Sequence, residues 1–236
     1  MASDHGRSVA SMFGRIAGWY DFLNHFLSLG LDILWRRRLV DHIGVSASGS
    51  PRVLDLAAGT LDVSLEIARR FPRARIAAAD FCLPMLVQGA GKLARRGVNS
   101  IAPVQADGRA LPFPDETFEA ATIAFGIRNI RPRSEAYAEL LRVLRPGGRL
   151  CILEFGSGKQ RILGGVYNLY LNRLLPLLGK IFSKDDGAYQ YLADTIREFP
   201  DAPSLAQEMR ASGFASVSWE RLAFGIVVIH VGVKQG

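Results

Sequence analysis

The stretch Val53-Leu54-Asp55-Leu56-Ala57-Ala58-Gly59-Thr60-Leu61-Asp62 decides the fold. It reads as a short buried strand, a tight turn of small residues and the start of a helix. Val53, Leu54 and Leu56 form the apolar run, and Ala57, Ala58 and Gly59 let a ligand approach the backbone. Leu61, Leu65 and Ala68 then recur at helical spacing. A helix that opens directly after a strand aims free N–H groups into the crevice above the sheet, where open α/β sheets bind ligands. Small residues at such a turn also occur for packing alone, so the turn needs a second signal.

Asp80 is that signal. It closes the next apolar run, Arg75-Ile76-Ala77-Ala78-Ala79, about twenty residues past the turn, where an acid suits the two hydroxyls of a ribose. A dinucleotide site wants G-x-G-x-x-G beneath a pyrophosphate. Here those positions hold Ala57, Gly59 and Asp62, and an aspartate in the third would repel the pyrophosphate. The crevice carries Asp55, Asp62, Asp80 and Asp107. Such acidity fits the cationic sulfonium and ammonium groups of S-adenosylmethionine better. A nucleotide-dependent oxidoreductase is the competing reading, and it lacks the glycine fingerprint.

Outward from this core, residues 52–155 alternate strand and helix patterns, as a mostly parallel sheet does. Strands are expected at 52–56, 75–79, 101–105, 118–124 and 149–154. Ser134 is a candidate N-cap for a helix carrying Tyr137, Leu140, Leu141 and Leu144 on one face, ended by the turn Pro146-Gly147-Gly148. A last helix over 204–212 stops at Gly213. Strands at 215–222 and 225–233 follow, close enough to form an antiparallel hairpin. In front of the core, residues 11–45 read as helices, with Phe13, Ile16, Tyr20, Leu23 and Leu27 on one stripe. Arg36, Arg37 and Arg38 read as a solvated face. Residues 156–200 break the alternation. Arg161 to Phe182 is Leu- and Tyr-rich but interrupted by Asn168, Asn172 and Pro176, as an amphipathic cover or an ordinary packing helix would be.

Composition narrows the class. The 236 residues are 49% hydrophobic and 22% charged, which is globular rather than disordered. Cys82 and Cys151 lie far apart in apolar surroundings and read as buried small residues in a reducing compartment. With the four histidines they show no ligand spacing, so no metal is expected. There is no apolar leader-like run near Met1 and no stretch of about 18 apolar residues that would span a bilayer. The net charge of +7 suits an anionic surface or simply a solvated one, and no nucleic-acid motif accompanies it.

Several further motifs resemble the ubiquinone/menaquinone biosynthesis C-methyltransferases. At the N-terminus these are Phe13-Gly14-Arg15-Ile16-Ala17-Gly18-Trp19-Tyr20-Asp21, Asn24, Ser28, Gly30 and Trp35-Arg36. Ala110-Leu111-Pro112-Phe113, Phe125-Gly126-Ile127-Arg128-Asn129 and Arg142-Val143-Leu144-Arg145-Pro146-Gly147-Gly148-Arg149-Leu150 follow. Glu154-Phe155, Tyr189-Gln190-Tyr191-Leu192, Phe199-Pro200, Gly213-Phe214 and Gly225-Ile226-Val227-Val228-Ile229-His230-Val231-Gly232 complete the match almost to the end of the chain.

The resemblance implies an α/β, Rossmann-like class I methyltransferase fold with N-terminal helices, a helical insertion and a C-terminal antiparallel hairpin. It implies one domain, divided into a helical cap (1–49), a cofactor-binding core (50–157), a helical cover (158–200) and a C-terminal helix and hairpin (201–236). The implied activity is methyl transfer from S-adenosylmethionine to a ring carbon of a prenylated quinol, demethylmenaquinol first and the ubiquinone-pathway benzoquinol second. Thr60, Asp80, Asp107 and Gly108 fall on the family's cofactor positions, beside Gly59 and Ala57 in the turn; Asp107-Gly108 would flank the adenine. A cytoplasmic enzyme touching the inner face of the membrane is expected, with its oligomeric state open and a homodimer included.

Two departures stand out. The family usually has Gly-Thr-Gly-Asp where this chain has Gly59-Thr60-Leu61-Asp62, and some members place a serine at Ala124. Leu61 tolerates positive φ poorly. It would either impair cofactor binding, leaving an assembly partner in quinone synthesis, or turn its side chain into the helix–sheet core. For the chemistry, Arg128 is the candidate for stabilising the quinol oxyanion, with Asn129 fixing its orientation. A guanidinium is always protonated and is a poor base. Tyr20, Asp21, Asp107 and His230 remain candidates for the base, although His230 also suits a satisfied core position. The competing reading of Arg128 and Asn129 is a loop ion pair and a turn residue.

Overall fold

A computed structural model describes residues 4–156, 191 and 194–236. The reading of 161–182 as a cover lies outside the described residues. Two helices open the chain, α1 (Asp4–Leu27) and α2 (Leu31–Asp41), separated where Leu29 and Gly30 take positive φ. The alternating segment then runs β1 (Arg52–Leu56), α3 (Asp62–Arg70), β2 (Arg75–Asp80), α4 (Leu83–Arg96), β3 (Ile101–Gln105), β4 (Phe118–Ala124), α5 (Arg133–Val143) and β5 (Leu144–Phe155). Helix α6 (Ala202–Ala211) and strands β6 (Phe214–Leu222) and β7 (Val227–Lys234) close it.

The described strands form one seven-stranded sheet in the order β3-β2-β1-β4-β5-β7-β6. The first five are parallel, while β7 runs antiparallel between β5 and β6. Strand pairs joined through helices must run parallel, and the short connection between β6 and β7 forces them antiparallel. The order reverses between β1 and β4, so their C-terminal ends flank the switch point where such sheets leave a crevice.

Residues alternate across the sheet into two cores. Leu54, Leu56, Ile123 and Ile152 pack with Tyr137 and Leu140 of α5 and Leu205 and Met209 of α6. Val53, Ile76, Leu153 and Ile229 pack on the other face with Leu39 of α2, Ile67 of α3 and Leu86 of α4. The near-continuous apolar reading of β1 and β4 follows from this double coverage.

Some local expectations need correction. Pro132, not Ser134, precedes the first turn of α5. Its extended backbone sets the helix start, and Ser134 falls inside the helix. Strand β5 begins at Leu144 instead of 149: β4 pairs Phe118 with Leu144 and then Ala120 with Arg149, so Pro146-Gly147-Gly148 is an irregularity within the strand. Asp201 caps α6 by accepting from Ser204 N–H, so the helix begins at Ala202, two residues before the expected start. The arginine run is not wholly a solvated face. Arg36 turns inward to Asp32 and to Asp62 at 2.7 Å, and Arg38 holds Glu220.

Candidate active site

A cleft opens at the switch point. Leu56, Ala57 and Gly59 line it from the β1 turn, Asp80, Phe81 and Cys82 from the end of β2, and Met85 from α4. Ala106 to Arg109 follow β3, and Phe125, Gly126 and Asn129 follow β4. Phe13 and Tyr20 of α1 lie across it. Its floor depends on missing side chains. A Cβ on Gly126 would sit 2.3 Å from that of Ala57, and one on Gly108 would press on Ile130 and Leu56 at 3.1 and 3.2 Å.

Asp80 organises the near wall. One carboxylate oxygen accepts the Gly59 N–H and the other the Cys82 N–H, each at 2.7 Å. Those bonds tie the β1 turn to the end of β2, and each oxygen keeps acceptor capacity for a hydroxyl in the cleft. Burial raises the affinity of Asp80 for a proton, and the backbone donors oppose that shift. Asp107 also lines the cleft but is held by Arg109 at 2.7 Å, which lowers its pKa. Beneath the turn, buried Asp55 accepts from Ser64 at 2.6 Å and Thr122 at 2.8 Å; desolvation lifts it to about 6.

Not every residue singled out from the sequence reaches the cleft. Gly59, Ala57, Asp80, Asp107, Gly108, Tyr20 and Asn129 line it together. Thr60 and Asp21 do not. The Thr60 hydroxyl donates to Asp21, whose other oxygen holds Lys92 at 2.6 Å, and Lys92 reaches on to Asp62 at 2.7 Å. This pair fastens α1 to the turn. His230 lies off the cleft on β7, its Nε2 bonded to the Ala202 carbonyl at 2.9 Å. Burial there pushes its pKa down.

Arg128 sits behind the cleft wall, 4% exposed, in the 3-10 turn Ile127–Asn129. Its Nη1 donates to the Phe125 carbonyl at 2.7 Å and to Glu154 Oε1 at 2.6 Å, and its guanidinium lies 5.6 Å from the centre of the Phe155 ring. Glu154 therefore does the orienting that was expected of Asn129. The Asn129 side chain instead accepts from the Tyr191 hydroxyl at 3.0 Å. The charge of Arg128 is felt at both Tyr20 and Tyr191, where burial dominates and raises the phenol pKa. Sequence reasoning gave Glu154 no role. The available signal was an acid inside the otherwise apolar run Leu150-Cys151-Ile152-Leu153-Glu154-Phe155.

Leu61 takes the left-handed conformation (φ 71°) just before α3 and is fully buried. Its side chain turns into the core and lies over Gly89 of α4, where a Cβ would come within 2.4 Å of Leu61 Cγ. It does not line the cleft.

The model of the ubiE/COQ5 methyltransferase family matches residues 1–234. The chain belongs to this family. Relatives include the demethylmenaquinone methyltransferase of Thermus thermophilus, 46% identical across 94% of this chain and 99% of its own. The ubiquinone/menaquinone biosynthesis C-methyltransferase UbiE of Geobacter sulfurreducens is 44% identical across 98% of this chain and 90% of its own. Among solved structures, a SAM-dependent methyltransferase from Thermotoga maritima superposes with a TM-score of 0.66. It has 17% identity and covers 95% of this chain and 99% of its own. A methyltransferase from Aquifex aeolicus gives 0.63 at 14% identity, over 84% of this chain and 88% of its own. This ubiE/COQ5 family member is thus an S-adenosylmethionine-dependent methyltransferase of the class I, Rossmann-like fold. The residues present fit that cofactor: the Asp80 carboxylate keeps acceptor capacity for hydroxyls, Asp107 adds a second acid to the lining, and Gly59, Gly108 and Gly126 leave the backbone bare.

Proposed function

We propose that this enzyme methylates a ring carbon of a prenylated quinol, with demethylmenaquinol as the first substrate and the ubiquinone-pathway benzoquinol as the second. The observation that carries the reading is a cleft with two characters. Asp80 and the small-residue turn suit a cationic nucleoside, and Tyr20, Phe125 and Asn129 in the same lining, backed by Arg128, suit a flat phenolic acceptor. The names of the relatives from Thermus thermophilus and Geobacter sulfurreducens support the quinone pathway.

The bound cofactor supplies an electrophilic methyl group on a sulfonium. Asp80, Gly59 and Ala57 would hold its nucleoside end, Asp107 and Gly108 would flank the adenine, and Thr60 shapes the turn through its bond to Asp21. Tyr20 and Asn129 offer hydrogen bonds to the acceptor. The fixed charge of Arg128 stabilises an oxyanion as it develops, in a buried setting where such interactions count for more than in water. A deprotonated hydroxyl makes its ortho carbon nucleophilic, and placing that carbon in line supplies much of the acceleration. No described helix is long and apolar enough to cross a membrane. We read the enzyme as cytoplasmic and meeting its lipophilic substrate by peripheral contact with the inner face of the membrane.

The test is methyl transfer by the purified chain, offered naphthoquinols and benzoquinols in detergent. Transfer to the naphthoquinol, or to both, is expected. Cofactor binding without transfer to either quinol would sink the reading.

A further inference from the structure

The ion pair behind the cleft is incomplete. Arg128 commits Nη1 to Phe125 and Glu154, yet its Nε is buried with no hydrogen-bond partner. Glu154 commits Oε1 to Arg128 and to the Phe155 N–H at 2.9 Å, while its buried Oε2 has no donor. A buried polar group left unmet is costly, and more so when charged. Here an unmet donor and an unmet acceptor belong to one ion pair, beside an aromatic cleft wall. A hydroxyl or a water satisfies both, because it accepts and donates at once. Among the described residues the other buried orphans, Tyr137 Oη and His230 Nδ1, offer no such complement, whereas Arg128 and Glu154, which do not line the cleft either, stand directly behind Phe125 of its wall.

We propose that Glu154 is the proton acceptor of the methyl transfer, taking the proton of the quinol hydroxyl at Oε2 through a bridging water while the fixed charge of Arg128 steadies the oxygen left negative. The inference rests on the quinol reading of the cleft. The hydroxyl O–H breaks and a Glu154 O–H forms. The oxygen's electron pair moves into the ring, and the ortho carbon bonds to the methyl as the methyl–sulfur bond breaks. That carbon's own hydrogen then leaves to solvent as the net proton. Its bonding pair restores the aromatic ring and the oxyanion, which recovers the proton from Glu154.

The surroundings favour this assignment. Burial raises the proton affinity of Glu154 more than Arg128 and the Phe155 N–H lower it. The other groups within the guanidinium's field, Tyr20 and Tyr191, are phenols that burial keeps protonated. Asp107 is held by Arg109, and Asp21 by Lys92 and Thr60.

The decisive variant is Glu154→Gln, which keeps the shape and an acceptor for Arg128 but cannot take a proton. Its kcat should fall by roughly 10²–10⁴-fold, with KM and cofactor Kd unchanged within about threefold. Glu154→Asp should recover part of the rate. The acid limb of wild-type kcat/KM should lie above the ordinary glutamate range and vanish in Glu154→Gln. A variant as fast as wild type, or one whose KM and Kd deteriorate in step with kcat, would overturn the proposal. Should Glu154→Gln fail to fold, 1-naphthol binding to the wild type decides. Its absorbance reports ionisation, and calorimetry in buffers of different ionisation enthalpy reports proton release. Ionised naphthol without net proton release is expected. Naphthol that stays neutral, or ionises with release of a full proton, would overturn the proposal. Cofactor binding by a wild type that methylates no quinol would instead indict the reading beneath it.

Discussion

Replacing Leu61 by glycine restores the residue usual in the family, and the structure says it should harm the protein. The Leu61 side chain is fully buried against Gly89 and does not enter the cleft. Truncating a buried leucine costs roughly 3–5 kcal/mol, from lost transfer energy and the cavity left behind. Against this, a non-glycine residue held at φ 71° carries about 1 kcal/mol of strain that glycine relieves. The net loss for Leu61→Gly is therefore about 2–4 kcal/mol. Leu61→Ala keeps the strain and should lose about 1 kcal/mol more, inverting the usual preference for alanine over glycine. Urea unfolding of both variants measures this, with the midpoint falling and the slope m unchanged. Titration with S-adenosylmethionine should give a Kd close to wild type in Leu61→Gly. Tighter cofactor binding without loss of stability would refute the reasoning, because it would mean that leucine obstructs the site.

Four more outcomes follow from the same geometry. The raised pKa of Asp55, about 6 against an ordinary 3.8, favours its protonated form in the folded state. Its cost is absent below about pH 4, grows to about 3 kcal/mol by pH 6 and persists above. Asp55→Asn should flatten that part of the stability–pH profile and raise stability at pH 7; an unchanged profile would contradict it. Gly126→Ala should cost the fold or the cofactor site, since its Cβ meets Ala57 at 2.3 Å, and calorimetry on any folded protein would show the loss. Asp80→Asn turns an N–H donor toward a backbone N–H and should weaken cofactor binding by at least about tenfold; an unaltered Kd would remove Asp80 from the site. Lys92→Met frees Asp21 from Asp62 and should lower hydrogen-exchange protection in α1 while leaving β1 and β4 protected.

Arg128→Ala is a poor probe of chemistry in this light. It strands Glu154 as a buried charge, at a cost of about 3–5 kcal/mol. Loss of activity in that variant would confound folding with mechanism; Glu154→Gln also leaves a buried charge unpaired, on Arg128, but keeps an amide oxygen to accept from it, and 1-naphthol binding to the wild type avoids the problem.

Much of the sheet was legible because each strand is short, apolar and bounded by turn residues. The parallel core and the C-terminal hairpin follow from connection lengths alone. So does the turn from Ala57 to Gly59 with Asp80 opposite, since strand–turn–helix spacing puts both at one end of the sheet. Strand β5 began early because pairing with β4 at Phe118, a contact distant in sequence, extends it past a proline and two glycines. Leu61 was ambiguous for a similar reason. Positive φ was expected to trouble it, but only the presence of Gly89 on a neighbouring helix decides where its side chain goes. Local pattern thus determined the elements and the end of the sheet that binds. The partners of Arg128, the removal of Thr60 and Asp21 from the cleft, and the unmet oxygen of Glu154 were decided only in three dimensions, because hydrogen bonds between residues 26 to 39 positions apart leave no periodic trace in the chain.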